Sequence, residues 1–404
     1  MPWKETDVMN QRSEFVLRVL DKVEGFDELC REYGISRKTG YKWKERFLQF
    51  GMSGLNNASR RPKNSPKELG ESIVCQIVKL KKAHPGWGAR KLRVILGRKV
   101  GSGELPSESS FKRVLDKAGL VTHRRRRERS EQGSRLEMPV RAERPNQVWT
   151  IDFKGWWYTR NRYRFQPLTI RDDYSRYVLC AQAMNDACTK TVREQIIRVF
   201  ERHGLPEVIR SDNGAPFASR GSPLGLSRLS AWWLALGINL DRIAPGRPDQ
   251  NGGHERMHRD ISEEVECNAE EDPVCQQAAL DVWRRMFYEE RPHEALGMQV
   301  PSEVYHVSSQ KFDGTPIELV YPVGYLTRKI SSNGVMRIEN GRVGISKALS
   351  GWDVGLEPVA QSRYAVWFCR QCIGQVDMST EQFEAVSDIE GSIKKPVSRV
   401  AKPV

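Results

Sequence analysis

Residues 252–258 read Gly-Gly-His-Glu-Arg-Met-His, which sets His254, Glu255 and His258 in the spacing H-E-x-x-H. Residues four apart on a helix share a face, so two imidazoles could grip one zinc ion while the glutamate activates water, as in a zinc metalloprotease. Two aspartates upstream offer a different chemistry. Asp152 ends the short apolar run Val-Trp-Thr-Ile-Asp, and Asp212 ends Val-Ile-Arg-Ser-Asp, with Asn213-Gly214 after it as a tight turn. Both are predicted at strand ends. Joined by Glu255, they would form a set of hard oxygen ligands that suits Mg²⁺ or Mn²⁺, and three carboxylates around two such ions are an apparatus for in-line phosphoryl transfer.

For these residues to meet, the chain must place two strand ends and one helix start at the same edge of a sheet. From Asn146 onward the pattern allows it. Short strands through Asp152, around the turn at 172–175 and up to Asp212 alternate with the amphipathic helix of 189–204, which carries Val192, Ile196, Val199 and Phe200 on one face. That order predicts an α/β core. The apolar stretch 228–237, a strand at 238–244 and a Gly/Pro loop then lead into the polar helix that begins near Glu255.

The rest of the chain suggests a polyanionic partner. Among 404 residues, 65 are Lys or Arg and 51 are Asp or Glu, a formal net charge of +14; such a balance favours nucleic acid. No apolar run approaches a membrane span. The eight cysteines are scattered apart from Cys369 and Cys372, whose neighbours alternate like a strand, so a reduced, cytoplasmic chain is expected.

Residues 10–60 are predicted as a helix-turn-helix domain, with a turn at Gly34, an N-cap at Ser36 and Trp43 and Phe47 on the buried face. Arg37, Lys38 and Lys42 lie early on its last helix, where side chains reach base edges. A second helix-turn-helix domain is predicted over 65–122, opened by a capping box at Ser65-Pro66-Glu68 and completed by a helix after Ser107. Arg124, Arg125, Arg126 and Arg127 then crowd a basic linker, 123–143, suited to lying along phosphates.

Four stretches together carry a family resemblance. Trp-Thr-Ile-Asp-Phe around Asp152, the run 170–178, Arg-Ser-Asp-Asn-Gly around Asp212 and the run 244–260 around Glu255 resemble the integrase core of bacterial insertion-sequence transposases, specifically those similar to the IS481 family, and of retroviral integrases. The amino-terminal modules resemble that family's paired helix-turn-helix units. The resemblance implies a multidomain chain with all-α helix-turn-helix modules, a central α/β RNase H-like core over 144–305, and a transposase that cleaves and joins DNA with two Mg²⁺ or Mn²⁺ ions. It casts Asp152, Asp212 and Glu255 as the catalytic, metal-binding triad and Asn251-Gly252 as the turn before the last of them. Arg256, His258 and Arg259 become DNA contacts on the helix beyond. The expected partners are double-stranded DNA and further copies of the chain, in a bacterial cytoplasm. One interval departs from the pattern: 42 residues separate Asp212 from Glu255, more than is usual in the family, and the Gly/Ser/Pro-rich stretch near 218–229 would absorb the excess as a loop.

Against this background the zinc reading lacks a third ligand, because the continuation that would supply a glycine and a histidine meets Ile261 and Glu264 instead. The remaining alternative is a DNA-binding protein of the same descent without catalysis. Beyond residue 312 several short alternating runs separated by Gly turns predict a small β-barrel over 312–380, which resembles the SH3-like module some integrases append, and a basic tail follows over 385–404.

Overall fold

The computed structural model describes residues 8–57, 69–101, 105–121, 141–244, 246–315, 317–339, 341–386 and 398–401. The chain divides into two compact units, Met1–Leu69 and Gly70–Val404. The arginines at 124–127 and the capping box expected at 65–68 lie outside the described residues.

In the first unit, α1 (Val8–Asp21), α2 (Phe26–Glu32) and α3 (Arg37–Phe50) enclose Phe15, Val16, Val19, Leu29 and Trp43. Ser36 caps α3 by accepting from the Thr39 N–H at 3.2 Å. Gly40 allows α3 to press on α2, since a Cβ there would stand 2.9 Å from both Cys30 Sγ and the Phe26 ring. Arg37, Lys38 and Lys42 are exposed. Arg37 pairs with Asp27 at 2.9 Å, and the Lys42 ammonium lies 5.1 Å from the centre of the Trp43 ring.

The second unit begins with three more helices, α4 (Glu71–Ala83), α5 (Ala89–Val100) and α6 (Glu108–Lys117), packed around Ile77, Trp87, Leu92, Leu96, Phe111 and Leu115. The α/β core follows. Its strands are β1 (Val148–Phe153), β2 (Trp157–Tyr158), β3 (Arg164–Asp172), β4 (Val178–Met184), β5 (Val208–Ser211) and β6 (Asn239–Arg242). β1 lies between antiparallel β3 and parallel β5, β4 extends the sheet beyond β3 and β6 beyond β5. Strand alternation then sorts the side chains. Trp149, Ile151, Leu168, Ile170 and Ile209 point to the face covered by α7 (Thr189–His203) and α8 (Arg228–Ala235). α9 (Gly252–Glu264) and α10 (Pro273–Arg285) cover the other face with Met257, Ile261, Leu280 and Trp283.

α9 is held from behind by one buried cation. Arg291 is 1% exposed and meets Asp260 at 2.9 Å and Glu264 at 3.4 Å, both on α9. The second three-helix module closes over the same place, with Met286 packed into its core and Arg98 3.3 Å from Glu303. Lys91 of α5 sits near Asp260 and Arg291, and burial pushes its ammonium down to about 8.

The C-terminal strands do not form the expected closed barrel. β8 (Leu326–Lys329), β11 (Asp353–Pro358), β12 (Arg363–Phe368), β13 (Gln371–Asp377) and β14 (Gln382–Ala385) make an open sheet whose outer strands, β8 and β14, do not pair. β9 (Val335–Ile338) and β10 (Gly341–Gly344) form a separate hairpin, and β7 (Ile317–Val320) pairs with β15 (Ser398–Ala401). A barrel buries its apolar face against itself. Here that face, with Leu356, Val366, Phe368 and Ile373, is buried together with Leu224, Leu226, Ala231 and Leu234 of the α/β core. The stretch expected to be a spare loop therefore works as a plug: Leu224 is 1% exposed and its N–H donates to the Val386 carbonyl at 2.8 Å. Part of the expected tail is likewise a strand, β15. Cys369 follows β12 in the turn to β13, and both it and Cys372 are free.

Replacing Arg291 with Met would take from buried Asp260 and Glu264 the cation they share, leaving Asp260 only the longer contact to Arg256 at 3.6 Å and nearby Lys91. Loss of one partner from a buried ion pair costs about 3–5 kcal/mol, so urea unfolding followed by tryptophan fluorescence should show a loss of roughly that size. A change under about 1 kcal/mol would mean that Arg291 does not anchor α9.

Candidate active site

Backbone register alone brings two of the three carboxylates together. Val148, Trp149 and Thr150 of β1 stand opposite Val208, Ile209 and Arg210 of parallel β5. Continued two residues beyond those pairs, the register leads to Asp152 beside Asp212, just past the end of β5, and the charge of Asp212 does reach Asp152. Alternation turns both toward the α9 face, with Thr150 and Arg210. Asp152 Oδ1 accepts from the Phe153 N–H at 2.8 Å, and Asp212 Oδ1 accepts from the Gly214 N–H at 3.2 Å. Gly214 is needed for that close approach, because a Cβ there would stand 2.9 Å from Asp212 Oδ2.

Glu255 arrives from the other direction, exposed in the first turn of α9. Asn251 and Gly252 are not corners of a tight turn: Asn251 is the N-cap and Gly252 already has helical dihedrals, φ −54° and ψ −26°. The buried guanidinium of Arg171 fixes the helix start, donating to the Gly253 carbonyl at 2.6 Å. A Cβ on Gly253 would meet the Arg171 and Arg176 guanidinium groups at 2.3 and 2.9 Å, so only glycine fits. Asp173 collects the arginines, lying 2.7 Å from Arg171, 3.1 Å from Arg176 and 3.5 Å from Arg210. Asp172, fully buried, accepts from the N–H groups of Asn146 and Ser175, both at 2.7 Å. The segment Arg-Asp-Asp-Tyr-Ser-Arg is thus a clamp that ties the sheet to the helix carrying Glu255.

The two histidines are occupied. His254 is fully buried, with Nδ1 2.8 Å from the Thr150 hydroxyl and Nε2 2.7 Å from the Thr169 hydroxyl. His258 Nε2 lies 2.8 Å from the same Thr169 hydroxyl, which donates its own proton to the Asp152 carbonyl at 2.9 Å. Thr169 therefore receives both Nε2–H groups, and each ring is neutral. Burial lowers both imidazoles, His258 to about 3. With both nitrogens of His254 in hydrogen bonds, the zinc reading of H-E-x-x-H fails. His258 also turns inward and not toward a passing DNA strand, its Nδ1 4.0 Å from Asp152 Oδ2. Arg256 and Arg259 do face solvent.

Burial, then the charges of Asp212 and Glu255, push the Asp152 carboxyl up to about 7, against the Phe153 hydrogen bond. No cation pairs with Asp212 or Glu255 among the described residues. Nor, among those residues, are three His, Cys, Asp or Glu drawn tightly enough to hold a metal ion; the three carboxylates lie within electrostatic reach of one another without closing into a cage. As a donor set they fit a hard divalent cation, since all offer carboxylate oxygen and their uncompensated repulsion is what such an ion would relieve.

Sequence reasoning singled out the three carboxylates as candidates and missed what positions them. Thr150, Thr169, Arg171, Asp173 and Arg210 had one legible signal, polar residues at alternate positions of otherwise apolar strands.

Comparison with known proteins agrees with this architecture. Two family models described as integrase core domain match residues 142–248 and 236–301. A homeodomain-like model matches 39–115 and a helix-turn-helix model 11–63. Residues 142–301 thus match an integrase core, with helix-turn-helix and homeodomain-like modules ahead of it. The chain is related to insertion-element proteins. It is 27% identical over 255 residues to the IS407 uncharacterized 31.7 kDa protein of Burkholderia multivorans, covering 62% of this chain and 87% of that one. It is 27% identical over 262 residues to the IS476 uncharacterized 39.2 kDa protein of Xanthomonas euvesicatoria, covering 62% and 70%. A 147-residue stretch is 32% identical to the Pol polyprotein of feline endogenous virus ECE1, covering 36% of this chain and 13% of the polyprotein. Among solved structures, the HTLV-2 integrase catalytic core domain in complex with magnesium is 14% identical and aligns along its whole length, with 41% of this chain, at a TM-score of 0.33. The two insertion-element relatives show the link to insertion elements and do not single out IS481.

The raised Asp152 carboxyl carries a stability consequence. It keeps its proton to about pH 7 in the folded chain and releases it near 3.8 when unfolded, so folding loses free energy as pH rises between those values and bears the full cost above pH 7. Asp152→Asn removes the cost. Without divalent ions the variant should be more stable than wild type at pH 8 by on the order of 2–4 kcal/mol, with the advantage gone below pH 4. The lowered histidines act in the opposite direction, destabilising as pH falls below 6.5, so the comparison between variants isolates Asp152. Equal stability at pH 8 would contradict the electrostatic account.

Proposed function

We propose that the protein is a DNA transposase that cuts and joins the ends of a mobile element, with Asp152, Asp212 and Glu255 as its catalytic, metal-binding triad. The observation carrying this reading is that the charges of Asp212 and Glu255 both reach buried Asp152, one from the strand paired with β1 and one from the clamped start of α9. These carboxylates would hold Mg²⁺ or Mn²⁺, two ions in the favoured arrangement, which when bound supply activation of the attacking oxygen and stabilisation of the leaving one. The chain's own part is placement. The Phe153 N–H orients Asp152, the Gly214 N–H orients Asp212, and the Arg171 clamp sets where Glu255 begins. His258 holds no proton on the nitrogen facing Asp152, leaving that carboxylate to the metal.

Arg256 and Arg259 would guide the DNA backbone along α9, and Arg124 to Arg127 would add phosphate contacts from the linker. Arg37, Lys38 and Lys42, exposed on α3, would read the terminal sequence. Joining two ends at once calls for more than one copy of the chain. The finer affiliation with IS481-type transposases rests on the residue motifs alone.

Glu255→Gln keeps the side chain's shape and removes its charge. Cleavage and strand transfer on a labelled element end with Mg²⁺ should fall by more than a hundredfold while gel-shift affinity stays within about threefold; each tenfold is about 1.4 kcal/mol of barrier. Activity within tenfold of wild type would remove Glu255 from the triad. In a second assay, titrations of cognate and scrambled duplex at several salt concentrations should separate the basic groups. Loss of the linker arginines should weaken both duplexes and flatten the salt slope by about 0.9 per phosphate contact. Lys38→Ala should narrow the cognate preference by roughly 1–3 kcal/mol. A chain beginning at residue 140 that still discriminates as well as the full protein would move recognition out of the helices.

A further inference from the structure

We infer that the hairpin leaving the active-site strand, residues 155–164, is a binding platform for single-stranded DNA, formed by Trp156, Tyr158 and Arg164 with Tyr163, Arg160 and Arg162 toward its tip. The inference rests on the DNA-processing reading above and goes beyond it, since neither the triad nor the helix-turn-helix modules require this surface.

Alternation gives the hairpin two unlike faces. Trp157 and Phe165 point inward, with ring centres 4.6 Å apart, and share a core with Met257 and Ile261 of α9. The outward residues are Trp156, Tyr158 and Tyr163, exposed to 41%, 56% and 58%. Arg164 stands directly across from Tyr158 in the β2–β3 pair, and its guanidinium lies 4.0 Å from the centre of the Trp156 ring. Arg164 thus lies over the indole of Trp156 and stands in register beside exposed Tyr158. Three arginines lie within the same ten residues, and among the described residues none of them pairs with a carboxylate.

The platform is rigid. At its tip the Thr159 N–H donates to the Tyr163 carbonyl at 3.0 Å, and the Arg160 and Asn161 N–H groups donate to the carbonyls of Glu270 and Glu271 at 2.9 and 3.1 Å. At its base Lys154 meets Glu266 at 2.8 Å. Glu270 and Glu271 bound the surface at the tip, which leaves the row of Trp156, Arg164 and Tyr158 as the path for an anionic strand. Trp156 follows Asp152 by four residues, so their Cα atoms lie within about 14 Å of each other.

The chemistry of the row selects the ligand. Unpaired phosphate-seeking arginines beside exposed rings suit a strand whose bases stack while its backbone is neutralised. A duplex presents its base faces only at its ends, so stacking favours a strand already opened. Beside Asp152, that strand would be DNA unpaired next to the bond being cut or joined.

The test uses the full-length protein and a dye-labelled oligothymidylate about a dozen nucleotides long, within the range of single-strand site sizes, beside a duplex of equal length. The double variant Trp156→Ala/Tyr158→Ala should weaken oligothymidylate binding by about a hundredfold, near tenfold per ring, and duplex binding by less than about threefold. Trp156→Phe/Tyr158→Phe, which keeps the rings, should restore most of the loss. Photocrosslinking of an iododeoxyuridine-substituted oligonucleotide to the wild type, mapped by mass spectrometry, should label residues 155–164. Unchanged oligothymidylate affinity, an equal loss for duplex, failure of the phenylalanine variant to rescue, or crosslinks confined to other segments would each overturn the proposal. A wild type that binds the oligonucleotide through this hairpin yet never cuts DNA with Mg²⁺ would instead sink the transposase reading and leave the platform standing.

Discussion

The parallel pairing of β1 with β5 is the constraint on which the rest of the site depends. It sets Asp152 beside Asp212 on one face of the sheet, where the two carboxylates cannot avoid each other's charge. The fold then places a third charge nearby on α9; burial first, and these charges after it, push the Asp152 carboxyl up to about 7. Strands adjacent in a parallel sheet need a long crossover, here α7, and the apolar faces of Trp149, Ile151 and Ile209 that bury this helix hold the register in place. A one-residue slip of either strand would turn its aspartate into the hydrophobic core.

The position of α9 depends on polar contacts more than on packing. Its inner side is apolar through Met257 and Ile261, yet its start is pinned by Arg171 and its far end by Arg291. Buried arginines are costly unless every charge is answered, and here Asp173, Asp260 and Glu264 answer them. The threonine and histidine chain from Thr150 to His258 fills the space between sheet and helix without adding charge. The result keeps net negative charge at the three carboxylates and compensates it elsewhere.

Much of this was legible in the sequence because the decisive signals are local. Asp152 and Asp212 could be placed at strand ends from short apolar runs, and the helix of Glu255 from the loop before it. The clamp around Asp173 was not legible, since it joins residues from two strands, the turn after β3 and a helix start that only the sheet order brings together. H-E-x-x-H misleads for a related reason: spacing shows that two histidines share a helix face, but only the packed sheet shows that Thr150 and Thr169 already occupy their nitrogens. The C-terminal barrel failed because alternation announces an apolar face without naming what covers it. Leu224 and Leu226, from the stretch expected to be a spare loop, supply part of the cover that barrel closure would otherwise provide.

The central claim is that Asp152, Asp212 and Glu255 form one site for hard divalent cations. Crystals soaked in Mn²⁺ and measured for anomalous scattering test it most directly. The account predicts Mn²⁺ peaks bounded by oxygens of all three carboxylates, with His254 still bonded to Thr150 and Thr169. Peaks on the histidines alone, or none within reach of Asp152 and Asp212 at saturating Mn²⁺, would contradict it.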